Sequence, residues 1–282
     1  MARTKIVTDS ACDLSPELAS SCDIAVVPLS IRFGDKEYVD RVELTPEQFW
    51  ALCKSHAELP ETSAPSPGAF QQAFLDAKAA GYDGVVCICL SAALSGTYQS
   101  ALAAKEGVSG EIDVHVVDSQ AVTMAEGLMA MAAAEAAAQG LDAASIAELA
   151  RASVPRTHVL GVLDTLEHLV KGGRVGGAKA AIGSLLSIKP LLHLKDGVVE
   201  EESKQRTRGR AVRYLVDKIR AEAPFERVAV VHGDASDLQE LVSALEGIDL
   251  GAELLVCDMG PVVGTHGGPG IMGVCWQSPA SR

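Results

Sequence analysis

The chain has 282 residues, long for one compact core and comfortable for two domains. A hydrophobic fraction of 48% and a charged fraction of 22% are those of a globular protein, and aromatics at 4% leave little to stack on nucleobases. The formal net charge of −13 repels a polyphosphate backbone and argues against nucleic acid as a partner.

The first half alternates short β-branched runs with helical stretches, the pattern of an α/β layer with parallel strands. Strands are expected at Lys5–Thr8, Ala25–Ile31, Val85–Leu90 and Asp113–Val117. Helix starts are signalled by Ser15-Pro16, by Thr45-Pro46-Glu47-Gln48 with a capping-box glutamine, and by Ser66-Pro67. The most apolar window, Ala125 to Ala138, carries Glu126 and Glu135 and reads as a buried or amphipathic helix, not a membrane span. The pattern shifts around residues 152–158, which divides the chain into domains at 1–154 and 155–282.

In the second half, His158–Leu163 reads as a strand, and Asp164 with Glu167 as an acidic capping pair for a helix over Thr165–Lys171. A helix near Gly177–Leu186 follows, then a strand over Lys189–Leu194 and a hairpin at Asp196-Gly197 into Val198–Glu200. Arg208–Ala223 is helical and Arg227–Val231 a strand. Ser236–Leu245 is a helix with Ser236 and Gln239 in capping-box spacing, and strands at Leu254–Cys257 and Gly270–Trp276 close the chain. Strands joined by both hairpins and helices give this half a mixed sheet.

The N-terminus enters a strand without the apolar core of a signal peptide, so a cytoplasmic location is expected. Seven cysteines (Cys12, Cys22, Cys53, Cys87, Cys89, Cys257, Cys275) are an odd count with no CxxC spacing, and are expected as reduced thiols. No histidine pair has zinc-ligand spacing, and no metal site is expected.

Chemistry-bearing segments each have a plain structural alternative. Gly264-Thr265-His266-Gly267-Gly268-Pro269-Gly270 holds one imidazole in a backbone-rich run, suited to an anionic or carbonyl-bearing ligand or to a tight turn. Leu94-Ser95-Gly96-Thr97-Tyr98 joins a strand end to a helix start, which is either a carboxylate seat or a bare cap. Thr62-Ser63-Ala64-Pro65-Ser66-Pro67 is hydroxyl-rich and suits anion recognition or capping. Asp9-Ser10 at the end of the first strand reads as a ligand position or an Asx turn. Gly172-Gly173-Arg174-Val175-Gly176-Gly177 lacks the lysine–hydroxyl ending of a phosphate loop and reads as a tight connection, from which Arg174 can reach a ligand or a partner. Lys204, Arg206, Arg208, Arg210 and Arg213 concentrate cations in an acidic protein, as a solvated face or a docking patch. A nucleophile at Ser95 with His266 as base and Asp9 or Asp118 as orienter would make an acyl-ester or thioester hydrolase. The G-x-S-x-G elbow of such enzymes is absent at every serine.

Together these segments resemble the DegV family along nearly the whole chain. Val7-Thr8-Asp9-Ser10 with Asp13-Leu14, Val27-Pro28-Leu29, Thr62-Ser63-x-Pro65-Ser66 and Leu94-Ser95-Gly96-Thr97-Tyr98-Gln99-Ser100-Ala101 carry the likeness. So do Val117-Asp118-Ser119, Lys171-Gly172-Gly173-Arg174, Ile188-Lys189-Pro190, Lys204-x-Arg206-Thr207-Arg208 and the His266 segment. The resemblance implies a two-domain α/β fold holding a long-chain fatty acid in a tunnel between the domains, with no other cofactor. It implies that the carboxylate is offered to a separate ATP-using fatty acid kinase subunit, giving an acyl phosphate, with no catalysis by the chain itself. By the same resemblance Thr62, Ser63, Ser95 with Gly96, and His266 hold the carboxylate, while Arg174, Lys204, Arg206 and Arg208 face the kinase. A protonated His266 would offset the buried carboxylate. Two departures stand out: Gly267 where the family has threonine, and Thr123-Met124-Ala125 where serine–methionine–glycine is usual.

Overall fold

The computed structural model describes residues 2–56, 58–178 and 188–280. In chain order the first half contains β1 (Thr4–Asp9), α1 (Pro16–Ser21), β2 (Ile24–Val27), β3 (Ser30–Phe33), β4 (Lys36–Val39), α2 (Pro46–Ser55) and β5 (Glu61–Ser63). Then follow α3 (Pro67–Ala79), β6 (Gly84–Cys89), α4 (Thr97–Gly107), β7 (Asp113–Asp118), α5 (Met124–Ala138) and α6 (Ala143–Ser153). The second half contains β8 (Thr157–Val162), α7 (Glu167–Lys171), β9 (Lys189–Lys195), β10 (Val198–Gln205) and α8 (Arg208–Glu222). It closes with β11 (Arg227–His232), α9 (Leu238–Glu246), β12 (Leu254–Asp258), α10 (Pro261–Gly267) and β13 (Met272–Gln277).

Three sheets result: a parallel one in the order β2-β1-β6-β7, a mixed one in the order β10-β9-β8-β13-β11-β12, and a small antiparallel one, β4-β3-β5. This is the expected α/β class, with a parallel sheet first and a mixed sheet second. The cap–proline starts perform as expected. Ser15 Oγ accepts from Leu18 N at 3.2 Å and Ser66 Oγ from Ala69 N at 3.3 Å. Both capping-box bonds of Thr45 and Gln48 are present. Asp196 and Gly197 both have positive φ (50° and 76°), as a two-residue hairpin of the primed type requires.

The differences have local causes. The strand expected over Ala25–Ile31 breaks at Pro28, which has no N–H for a ladder, and Leu29 N is taken by Ser10 Oγ at 3.0 Å. The chain therefore leaves the parallel sheet at Val27 and starts β3 in the small sheet. Asp164 does not cap α7; Thr165 Oγ1 accepts from Glu167 N at 3.1 Å instead. The capping box at Ser236 is absent, since α9 starts at Leu238 with no side-chain cap. Most of the helix expected near Gly177–Leu186 lies outside the described residues.

α5 explains how the halves join. Met124, Ala125, Leu128 and Met129 are buried, as is Glu126, because the helix lies between β1 and β6 on one side and β11 and β13 on the other. One continuous core contains Ile6, Val86 and Ile88 of the first sheet together with Leu163, Val231 and Cys275 of the second half. Asp13 ties the halves further, accepting from Arg41 at 3.0 Å, Thr123 Oγ1 at 2.6 Å and Gly260 N at 2.8 Å. Among the described residues no helix is long and apolar enough to cross a membrane.

Candidate functional site

Between the two halves lies an apolar cavity. The first half contributes Leu29, Leu90 and Val122 to its wall, and the mixed sheet contributes Val159, Leu192 and Val231. The first half's residues stand at strand ends and in the loops that follow them, where an open α/β sheet receives ligands. Polar residues are few: Thr62, Ser95, Thr123, Arg174, His193 and His266 reach the lining. His193 pairs with Leu160, whose side chain packs into the α8 core on the opposite face, so only its backbone belongs to the cavity side.

Thr62, His266, Arg174 and Ser95 are linked by one direct contact and by the backbone carbonyls of Gly172 and Leu94. Thr62 Oγ1 lies 3.0 Å from His266 Nε2. Arg174 donates through Nε to Leu94 O at 3.1 Å and through Nη1 to Gly172 O at 2.7 Å. Gly172 packs against the imidazole so closely that a methyl there would stand 2.3 Å from His266 Nδ1. Ser95 Oγ lies 2.9 Å from Thr97 Oγ1 and accepts from Thr97 N at 3.3 Å, closing the first turn of α4. Ser95 and Arg174 also border a more polar outer cleft, which Gly96, Gln99, Gly173 and Gly176 complete. The polar chain therefore stands where the apolar cavity meets that cleft.

His266 is not in an open loop. It occupies the last turn of α10, and the left-handed glycines Gly268 and Gly270 come after it. Protein groups alone keep the imidazole neutral. Burial, aided by Arg174 and His168, lowers its pKa to about 4. The neutral ring has one donor and one acceptor nitrogen, and Nδ1 is buried without a partner. A lone acceptor costs less there than a lone N–H, which places the proton on Nε2. Nε2–H then donates to Thr62 Oγ1, and the threonine O–H is free to donate to a ligand. The positive charge at the site belongs to Arg174, the one guanidinium or ammonium among the described lining residues.

The other sequence-derived positions sort clearly. Side chains alternate along β5, so Thr62 faces the cavity while Ser63 is exposed and outside its lining. Gly96 is exposed and borders only the outer cleft. Arg174, expected on a docking face, is in the cavity wall. Arg208 is held by Asp237, with Nε and Nη2 at 2.8 and 3.0 Å from the two carboxylate oxygens, and Nη1 lies 3.5 Å from Asp164. Lys204 lies 3.1 Å from Glu201, and Arg206 is exposed. Asp9 is an Asx turn: Oδ1 accepts from Ala11 N at 3.0 Å and Oδ2 from Leu90 N at 2.9 Å. The hydrolase arrangement does not form, since Ser95 bonds Thr97, His266 bonds Thr62, Asp9 is buried on backbone donors, and Asp118 accepts from Ala92 N and Gln120 N. Gly267 packs against Ile271, whose Cδ1 would lie 2.3 Å from a methyl there and would have to turn aside. Thr123 was noted in the sequence only as a departure. It lines the cavity at φ 56°, an unusual conformation for a β-branched residue, with its hydroxyl on Asp13.

Fold and cavity define a two-domain α/β protein with an apolar cavity closed on one side by a short polar wall. The profile of a family described as "Uncharacterised protein, DegV family" matches residues 3–278, and the chain belongs to the DegV family. It is 35% identical to a DegV domain-containing protein of Halalkalibacterium halodurans over 280 residues, 98% of this chain and 99% of the relative. A structure from Thermus thermophilus, described as fatty acid binding of a DegV family protein, superposes with a TM-score of 0.90 at 32% identity, covering 98% of this chain and all of that one. Bacillus subtilis DegV, described as a fatty acid binding protein, superposes with a TM-score of 0.86 at 32% identity, covering 99% of this chain and all of that one.

Proposed function

We propose that the cavity holds a long-chain fatty acid between domains 1–154 and 155–282. The chain then serves as the acyl carrier of an ATP-using fatty acid kinase, offering the carboxylate for acyl phosphate formation and performing no catalysis itself. The observation that carries this reading is the polar row Thr62–His266–Arg174–Ser95 where the apolar cavity meets the outer cleft. The Thr62 and Ser95 hydroxyls donate to the carboxylate, Arg174 balances its charge, and His266 acts through Thr62.

Size and energetics support the same reading. The lining crosses five neighbouring strands, from Val199 on β10 to Val231 on β11. Four interstrand spacings make a span of roughly 19 Å. A zigzag of carbon–carbon bonds of about 1.5 Å advances about 1.25 Å per bond, so the span takes on the order of fifteen bonds. Burying a dozen or more methylenes contributes on the order of 10 kcal/mol, whereas each hydrogen bond to the carboxylate contributes about 1.5–3 kcal/mol. The tail sets affinity and the polar wall sets orientation, which is what transfer to another active site requires.

Titration of delipidated protein with palmitate tests the binding, and ATP-dependent acyl phosphate formation with a bacterial fatty acid kinase catalytic subunit tests the carrier role. Saturable palmitate binding with coupled turnover supports both. Binding without turnover removes the carrier role, and no binding removes the reading.

A further inference from the structure

The cavity-facing surface of the mixed sheet has an unusual centre. Reading across the strands, one row runs Leu192–Gly161–Gly273–Val231, each residue directly opposite the next. The two central strands, β8 and β13, thus present glycine side by side in the row that lies under the cavity. Val159 on β8 and Leu163 just after it flank Gly161 on the same face, and all six of these residues belong to the lining. The result is a depression two strands wide, walled by apolar side chains and floored by backbone.

The two glycines differ in what they tolerate. A methyl on Gly273 would stand 2.8 Å from Leu160 O, a backbone atom that cannot give way cheaply. A methyl on Gly161 would meet only Leu163 Cδ1 at 3.8 Å and Met272 O at 3.9 Å, so it would project into open cavity. Packing accounts for Gly273 but leaves Gly161 unexplained, although a β-branched residue suits a central strand better.

From this pairing we infer that the Gly161–Gly273 depression is the bed of the distal acyl chain, and that Gly161 is a specificity-determining residue for chain length. The inference rests on the fatty-acid reading of the cavity. A methyl at Gly161 has none of Thr62, Ser95, Arg174 and His266 within 4 Å, so filling the bed from this position selects against long chains and leaves short ones alone.

The test compares delipidated wild-type protein with Gly161→Ala and Gly161→Leu in titrations with decanoate, palmitate and stearate. Decanoate affinity is expected to stay within about twofold in both variants. Palmitate and stearate should weaken at least about tenfold in Gly161→Leu, since displacing two methylenes from an apolar wall costs close to that factor, and less in Gly161→Ala. The alanine variant keeps the test open should leucine prevent folding. An unchanged chain-length preference, or equal weakening for all three acids, overturns the inference. A wild-type protein that takes up none of the acids instead overturns the fatty-acid reading beneath it.

Discussion

Thr62 Oγ1 and His266 Nε2 meet at 3.0 Å across 204 residues of sequence, joining the small β4-β3-β5 sheet to α10 at the mouth of the cavity. With the proton on Nε2, the neutral imidazole leaves the threonine hydroxyl free as a donor into the cavity. This contact separates Thr62 from its neighbour Ser63, which faces solvent. Thr62→Val is expected to weaken palmitate binding by roughly tenfold or more, the worth of one hydrogen bond to a carboxylate. Ser63→Ala should leave it unchanged. Equal effects of the two substitutions in a binding titration would refute the alternation argument.

His266 also leaves a mark on stability. Its folded pKa of about 4 lies below the unfolded value near 6.5. Between these values the unfolded chain binds the proton and the folded one does not, so stability falls as pH drops from about 6.5 toward 4. His266→Asn should remove that part of the acid limb, so that the difference between wild-type and variant urea midpoints slopes with pH across this window. A difference curve without slope in this window would contradict a neutral, buried imidazole.

The buried acids work in the opposite direction. Burial raises Asp9 to about 7, and Glu126, beside it and bonded to Thr8 Oγ1 at 2.8 Å, is also raised by burial and by Asp9. The folded state keeps protons that the unfolded chain loses near pH 4, so stability falls as pH rises, through about 7 for Asp9 and in the same direction for Glu126. Glu126→Gln keeps an acceptor for Thr8 and removes one carboxylate from the pair. It should raise the melting temperature by several degrees at pH 8 and by less at pH 5. A lower melting temperature at pH 8 would show that the ionised pair is stabilising.

The basic segment divides in the same way. Arg208 is locked on Asp237, so Arg208→Ala should lower stability by about 1–3 kcal/mol in urea unfolding. Arg206 is exposed, and Arg206→Ala should leave both stability and palmitate binding intact while slowing kinase-coupled acyl phosphate formation. Normal coupled turnover in Arg206→Ala would remove this residue from the docking face.

Local chemistry made much of the fold legible in the sequence. Ser15-Pro16, Ser66-Pro67 and the Thr45–Gln48 box start helices through bonds of three or four residues' reach, and Asp196-Gly197 makes its hairpin from two positive φ angles. The short β4 and β5 were not legible, because each exists only by pairing with β3, a tertiary event. At the site, Thr62, Ser95 and His266 stood out by residue type and by family likeness. That Arg174 lines the cavity was not legible, since a glycine-flanked arginine gives no sign of which way it turns. The burial of His266 by α10 and Gly172 is hidden for a related reason: it is a property of packing, which no spacing records.

Native mass spectrometry of the purified protein, followed by denaturation and lipid extraction, tests the central claim most directly. The account predicts one bound species per chain with the mass of a long-chain fatty acid, reduced in occupancy by Arg174→Ala and Thr62→Val. A protein that carries no fatty acid, and takes up none when palmitate is added after delipidation, would contradict it.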